Sequence, residues 1–129
     1  MADTDRQELL HSLLEKQAEL MHKIPHEHKI KDQQQGIVVA ALGLIEETLE
    51  YLNTIGFKSW RPHPLSQERQ LEELTDILFF YLELIILSGF SIDDIVAQYL
   101  KKHDINLKRY EAAKNGDYSW DKRATERGL

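Results

Sequence analysis

The sequence has no cysteine, which excludes disulfides and thiolate metal sites and leaves no thiol from which to read a redox compartment. Proline occurs only at Pro25, Pro62 and Pro64, so long stretches run without a helix breaker. Alternating β-branched runs are missing, and apolar residues recur instead at spacings of three and four, the period of helices. The longest apolar run, Ile77 to Leu87, is too short for a membrane span, contains Glu83 and is flanked by charge. No basic segment followed by an apolar one opens the chain, so no secretory signal is expected, and the expectation is a cytoplasmic protein with no membrane partner. A basic excess is missing too. Sixteen Lys and Arg stand against 22 Asp and Glu, a net charge of −6, which argues against nucleic acid as a partner because that needs a cationic footprint. A small polyphosphate remains open, provided a divalent cation mediates. No P-loop, Gly-rich dinucleotide turn or Ser-based nucleophile motif is present.

What is present reads as an all-α protein, a four- to five-helix bundle. The 129 residues are expected to form one domain, 1–129, with a tail from about residue 111 onward. The first helix is expected from Thr4 or Asp5 to Lys23, striped by Leu10, Leu13, Leu14, Leu20, Met21 and Ile24, with Pro25 just past its end. Gln17 stands in that stripe where another Leu belongs. A second helix is expected over Gln33 to Thr54. There Ile37, Val38, Ala41, Leu44, Ile45, Thr48, Leu49 and Leu52 fill one broad arc, while Glu46, Glu47 and Glu50 fall on another beside Ala40 and Gly43. Gly in mid-helix costs about 1 kcal/mol relative to Ala, and the expected return at Gly43 is clearance for a bulky ligand.

A third helix is expected from Ser66 to Leu87, after the loop with Pro62 and Pro64. Glu73, Asp76, Phe80 and Glu83 share one of its sides, and its second half is apolar nearly all round. Such a helix needs cover on every side, and only three other substantial helices are available. An obligate homodimer, or a dimer of dimers, is therefore expected to complete the core. The fourth helix opens at Ser91, with Asp94 three residues on in a variant capping box. Ile92, Ile95, Val96, Leu100, His103 and Leu107 are expected to face the core, while Tyr99, Lys102, Asn106 and Arg109 recur at three, four and three on a polar stripe. Asn115-Gly116 signals a turn, and Tyr118 and Trp120 follow it.

The sharpest features are Glu46-Glu47-Thr48-Leu49-Glu50 and Glu72-Glu73-Leu74-Thr75-Asp76, each holding two acids three apart and so one helical turn from each other. Alone, either pair reads as a solvated helix face. Together they interrupt or border apolar helices that must pack, and converging carboxylates in a low dielectric protonate or recruit cations. Hard oxygen ligands without sulfur favour Mg²⁺, with Mn²⁺ as a substitute, over zinc. Such an ion bridges to phosphate oxygens and activates water. Lys102 and Arg109, with Lys58 and Arg61, either hold charge on a leaving pyrophosphate or form an ordinary solvated surface.

These residues resemble the all-α nucleotide pyrophosphatase superfamily that contains the MazG proteins and the dimeric dUTPases. Its metal motif, Glu-x-x-Glu on one helix and Glu-x-x-Asp on the next, falls here on Glu47, Glu50, Glu73 and Asp76. Several segments look more like the dimeric dUTPase branch: Leu14-Glu15-Lys16-Gln17-Ala18-Glu19-Leu20, whose Gln contributes to the base pocket there, Asn53 three residues after the second metal Glu, Phe57-Lys58-Ser59-Trp60, and the run Lys102 to Arg109 with Asn106 inside it, which matches a segment tied to phosphate and sugar binding. An acid usually follows that Asn in the dUTPases, and Thr54 stands there instead. The resemblance implies a Mg²⁺-dependent hydrolase converting a deoxynucleoside triphosphate, dUTP first among them, to the monophosphate and pyrophosphate. It also implies Glu47 as the residue that orients or deprotonates water, and Gln17, Asn53, Lys58, Trp60, Lys102, Asn106 and Arg109 as substrate contacts.

Other readings stay open beside it. A MazG-like pyrophosphatase would act on dCTP, dATP or many nucleotides. A helical homodimer used only for protein interaction explains the apolar helices but not the ordered acids. A di-iron bundle wants Glu-x-x-His pairs, and neither Glu47 nor Glu73 has His three residues on. His22, His26 and His28 around Pro25 read as a polar helix end before a zinc site, since no HExxH motif accompanies them. Trp60 either stacks on a base or pins its loop to the bundle. For Gln17 the alternative to a ligand is a hydrogen bond to a neighbouring helix.

Overall fold

The structure, a computed structural model, describes residues 3–24, 32–61 and 65–116. Among these the chain forms four α-helices and no strand: α1 (Asp3–Lys23), α2 (Gln33–Thr54), α3 (Gln67–Leu87) and α4 (Ile92–Lys114). The chain divides into two compact units, Met1–Ile92 and Asp93–Leu129; the first holds α1 to α3 and the second nearly all of α4. The all-α reading holds: α1, α2 and α3 begin and end, and α4 begins, within two residues of the expected place, whereas α4 runs on to Lys114, past residue 111 where a tail was expected. No single described helix is long and apolar enough to cross a membrane. His26, His28, Pro62, Pro64, Tyr118 and Trp120 lie outside the described residues.

The helix boundaries have local causes. Asp32 caps α2, its carboxylate accepting from the Gln35 N–H at 2.8 Å, and the Ser66 hydroxyl accepts from the Arg69 N–H at 3.3 Å at the start of α3. Each cap satisfies a donor that the first turn leaves orphaned and contributes about 1 kcal/mol. At the other ends Gly56 and Gly89 adopt φ of +67° and +80°, the left-handed conformation that glycine reaches without strain. The chain then folds back so that the Phe57 N–H donates to the Leu52 carbonyl at 3.4 Å and the Phe90 N–H to Ile85 at 3.2 Å, closing both helices in the Schellman manner.

In the first unit α3 is the central element, packed against both α1 and α2. α2 and α3 run antiparallel: the side-chain amide of Gln33, at the start of α2, donates to the Leu87 carbonyl at the end of α3. Ala40, Leu82, Ile85 and Ile92 are the buried apolar residues among those described. At roughly 100° per residue, Gly36, Ala40, Gly43, Glu47, Glu50 and Thr54 fall on one narrow arc of α2, and Gly36, Ala40 and Thr54 are buried. Opposite them, Val38, Leu42, Ile45 and Leu49 are about half exposed. The apolar arc of α2 is therefore divided: Ile37, Ala41, Leu44, Thr48 and Leu52 are half-buried, whereas Val38, Ile45 and Leu49 are left exposed by the described residues. On α3 Leu71, Leu74, Leu78 and Tyr81 repeat the pattern, all exposed. On α4 Ile95 and Val96 are half-buried, whereas Leu100, His103 and Leu107 are exposed.

Gly43 corrects a second expectation. A Cβ at that position would lie 2.4 Å from the Phe80 ring, so the clearance anticipated for a ligand is filled by an aromatic side chain of α3.

Candidate functional site

The antiparallel register sets Glu47 of α2 across from Glu73 and Asp76 of α3. One carboxylate oxygen from each of the three lies within 4.8 Å of the others. The alternatives within each acidic run are thereby sorted: Glu46 and Glu72 are exposed, Glu73 is 9 % exposed, and Glu47 and Asp76 are half-buried. Glu50 is also exposed but stands one turn from Glu47 and acts on it directly.

The electrostatics follow from that crowding. Burial, first, and then hydrogen bonding with Glu73 and Glu50 and the charges of Glu50 and Asp76 push the Glu47 carboxyl up to about 7. Every group acting on it is another acid. One oxygen of Glu47 and one of Glu73 are sealed from solvent with no hydrogen-bond partner. Ionised carboxylates only accept, so these contacts become hydrogen bonds only when a proton is shared. A divalent cation satisfies the same oxygens without a proton. The donor set is all carboxylate, with no nitrogen or sulfur, and fits Mg²⁺ or Mn²⁺.

Two further polar atoms of the first unit share this condition. Gln17, 4 % exposed, is the one buried residue among the described side chains of α1, and its Oε1 has no hydrogen-bond partner. A hydrogen bond from a neighbouring helix to that oxygen, the bland alternative, is not formed. Asn53 Oδ1 is likewise sealed and unpartnered near the end of α2. Its neighbour Thr54 is buried, and its hydroxyl donates to the Tyr51 carbonyl at 2.6 Å. The Thr54 side chain is thus satisfied within its own helix.

The loop after α2 places its residues differently. Lys58 is half-buried, its ammonium 5.8 Å from the centroid of the adjacent Phe57 ring, and Arg61 is exposed. Trp60 is 74 % exposed, so it does not pin the loop to the bundle. In the second unit Lys102 and Asn106 are exposed and Arg109 is half-buried. Tyr99 stacks on His103 with ring planes 7° apart, a pairing that the 3-4-3 polar stripe did not anticipate.

A family model described as dUTPase matches residues 9–87, well over half of the chain. The chain belongs to the dUTPase family. The matched stretch takes in Gln17, Glu47, Glu50, Asn53, Lys58, Trp60, Glu73 and Asp76 and ends with the last residue of α3, short of Lys102, Asn106 and Arg109. Comparison with curated proteins and with solved structures gives no match.

Proposed function

We propose that this chain is a Mg²⁺-dependent nucleoside triphosphate pyrophosphohydrolase that converts dUTP to dUMP and pyrophosphate. The observation that carries the reading is the convergence of Glu47, Glu73 and Asp76 within 4.8 Å, with sealed oxygens that have no donor. Glu47, Glu50, Glu73 and Asp76 hold the cation. Bound there, Mg²⁺ polarises the phosphoryl oxygens and lowers the pKa of water. Glu47 orients the attacking water and takes its proton, held in place by the acids around it.

Gln17 reads the base. Its unpartnered Oε1 is an acceptor, which suits the N3–H donor of uracil, while its amide N–H suits O4. Cytosine offers no hydrogen at N3 and leaves that oxygen unpaired. Trp60, exposed on its loop, covers the base, and Asn53 and Asn106 hold sugar or base edges. Lys58, Lys102 and Arg109 take the phosphate charge, the last two on the resemblance alone. The working form is a homodimer or a dimer of dimers, supported by the uncovered stripes Val38, Leu42, Ile45 and Leu49 on α2 and Leu71, Leu74, Leu78 and Tyr81 on α3.

The test is pyrophosphate release from dUTP, dCTP, dTTP and dATP with Mg²⁺ and with chelator. The expected result is cation-dependent release with the highest kcat/KM for dUTP. A preference for dCTP or dATP, or none, would move the chain to a MazG-like activity. No release from any nucleotide would leave a helical homodimer that serves protein interaction.

A further inference from the structure

Gly43 is a helix-interior glycine with no conformational reason to be one. The glycines with positive φ among the described residues are Gly56, Gly89 and Gly116, all at helix ends. Gly43 has helical backbone, where alanine is strongly preferred, so what the position lacks is room. A Cβ there would sit 2.4, 2.6 and 2.7 Å from Cε1, Cζ and Cδ1 of Phe80, well inside van der Waals contact. The edge of the ring rests against bare α2 backbone.

The register gives that contact a purpose. Gly43 is four residues before Glu47 on α2, and Phe80 four residues after Asp76 on α3. Ring and slot therefore lie one turn, about 6 Å along the helix axes, from the carboxylates. Farther along the same antiparallel pair, Gln33 is tied to the Leu87 carbonyl. Carboxylates that share a cation need their helices held to within roughly 0.5 Å, yet as ions they repel and drive those helices apart. A half-buried aromatic ring with two side-chain torsions is a stiffer gauge than an aliphatic chain of similar reach.

We propose that Gly43 and Phe80 form a spacer that fixes the separation of α2 and α3 at the carboxylate cluster, making both positioning residues for the metal ligands. The proposal rests on the reading of Glu47, Glu73 and Asp76 as those ligands. Adding a methyl group at position 43 displaces the ring or parts the helices, and shortening residue 80 leaves the slot slack. Making both changes restores the fit.

The experiment is calorimetric titration of Mg²⁺ into the full chain, with helix content and thermal midpoint, for wild type, Gly43→Ala, Phe80→Leu and the double variant. Gly43→Ala is expected to lose about tenfold or more in Mg²⁺ affinity, the size typical of residues that orient ligands, although intrinsic helix propensity alone would favour the substitution. Phe80→Leu loses less, and the double variant returns to within roughly threefold of wild type, a coupling that independent sites do not show. Lower thermal midpoints with unchanged Mg²⁺ affinity in both single variants would make the pair mere core packing and overturn the spacer. If Gly43→Ala does not fold, the remaining pair decides: the double variant must bind Mg²⁺ more tightly than Phe80→Leu alone, and equal or weaker binding refutes the proposal. A wild type that binds no Mg²⁺ removes the metal reading as well, and so is distinguishable from a failure of the spacer alone.

Discussion

The two faces of α2 exchange the roles that their residue types suggest. The face turned to α3 carries Gly36, Ala40, Gly43 and Glu47, little apolar bulk and a carboxylate, while Val38, Leu42, Ile45 and Leu49 on the far side remain half exposed. In a helix that served only its own chain the assignment would be reversed, since burying each large aliphatic side chain stabilises by about 1.5–3 kcal/mol. The contrast teaches that helix spacing and cation chemistry set the inner face, and that the outer face has its hydrophobic gain left to make.

Breaking the inner face should have the largest effect. Glu47→Gln removes the charge and the proton acceptor at nearly constant shape, and turnover with Mg²⁺ should fall by about 10²–10⁴-fold with helix content retained. Full Mg²⁺-dependent activity in Glu47→Gln would end the assignment. Breaking the outer face should act on assembly: Leu42→Asp with Ile45→Asp should weaken self-association by about 100-fold or more, seen in sedimentation as half the wild-type mass at micromolar concentration. A wild type that sediments as a stable folded monomer would show that the outer stripe has no such role. The contrast extends to α1, where the polar residue is again the buried one. Gln17→Leu should keep the fold and Mg²⁺ binding yet lower the preference for dUTP over dCTP by about 10–100-fold, the equivalent of about 1–3 kcal/mol. An unchanged profile of kcat/KM across four nucleotides would return Gln17 to a purely structural role.

The smallest effect sharpens the inner face by pH. In the metal-free protein the Glu47 carboxyl sits at about 7 against an ordinary 4.5, so between those values the folded chain binds more protons than the unfolded one. Stability contributed by that proton is complete below about pH 4.5 and is lost as pH rises through about 7. Thermal midpoints in chelator should decline across that window, and the decline should flatten in Glu47→Gln or with saturating Mg²⁺. A wild-type midpoint indifferent to pH there would show that the acids do not share a proton.

Much of this was legible from residue order because the signals are local. The 3-4 spacing of apolar residues places α2 and α3 almost to the residue, and the structure adds the local causes, Asp32 and Ser66 as caps and Gly56 and Gly89 as terminators. The acid pairs also announced themselves, though which acid in Glu46-Glu47 or Glu72-Glu73 turns inward depends on the α2–α3 register, set by contacts far apart in sequence such as Gln33 with Leu87. Gly43 was misread for the same reason. A small residue signals space without saying what fills it, and Phe80 is 37 positions away. The exposed stripe on α2 was hidden because an apolar arc looks the same whether its cover comes from its own chain or from another.

Gln17 Oε1, Glu47 Oε2, Asn53 Oδ1 and Glu73 Oε2 come from three helices and are all sealed without a partner. In landscape language the unliganded protein is locally frustrated at four points, each costing about 1–3 kcal/mol, while caps and helix ends elsewhere are mutually consistent. Conflict of this kind, which among the described residues falls within the first unit, marks a fold whose minimum is completed from outside. A ligand that brings a cation and an N–H donor therefore also deepens the native basin, and the protein's melting temperature becomes a report on what it binds.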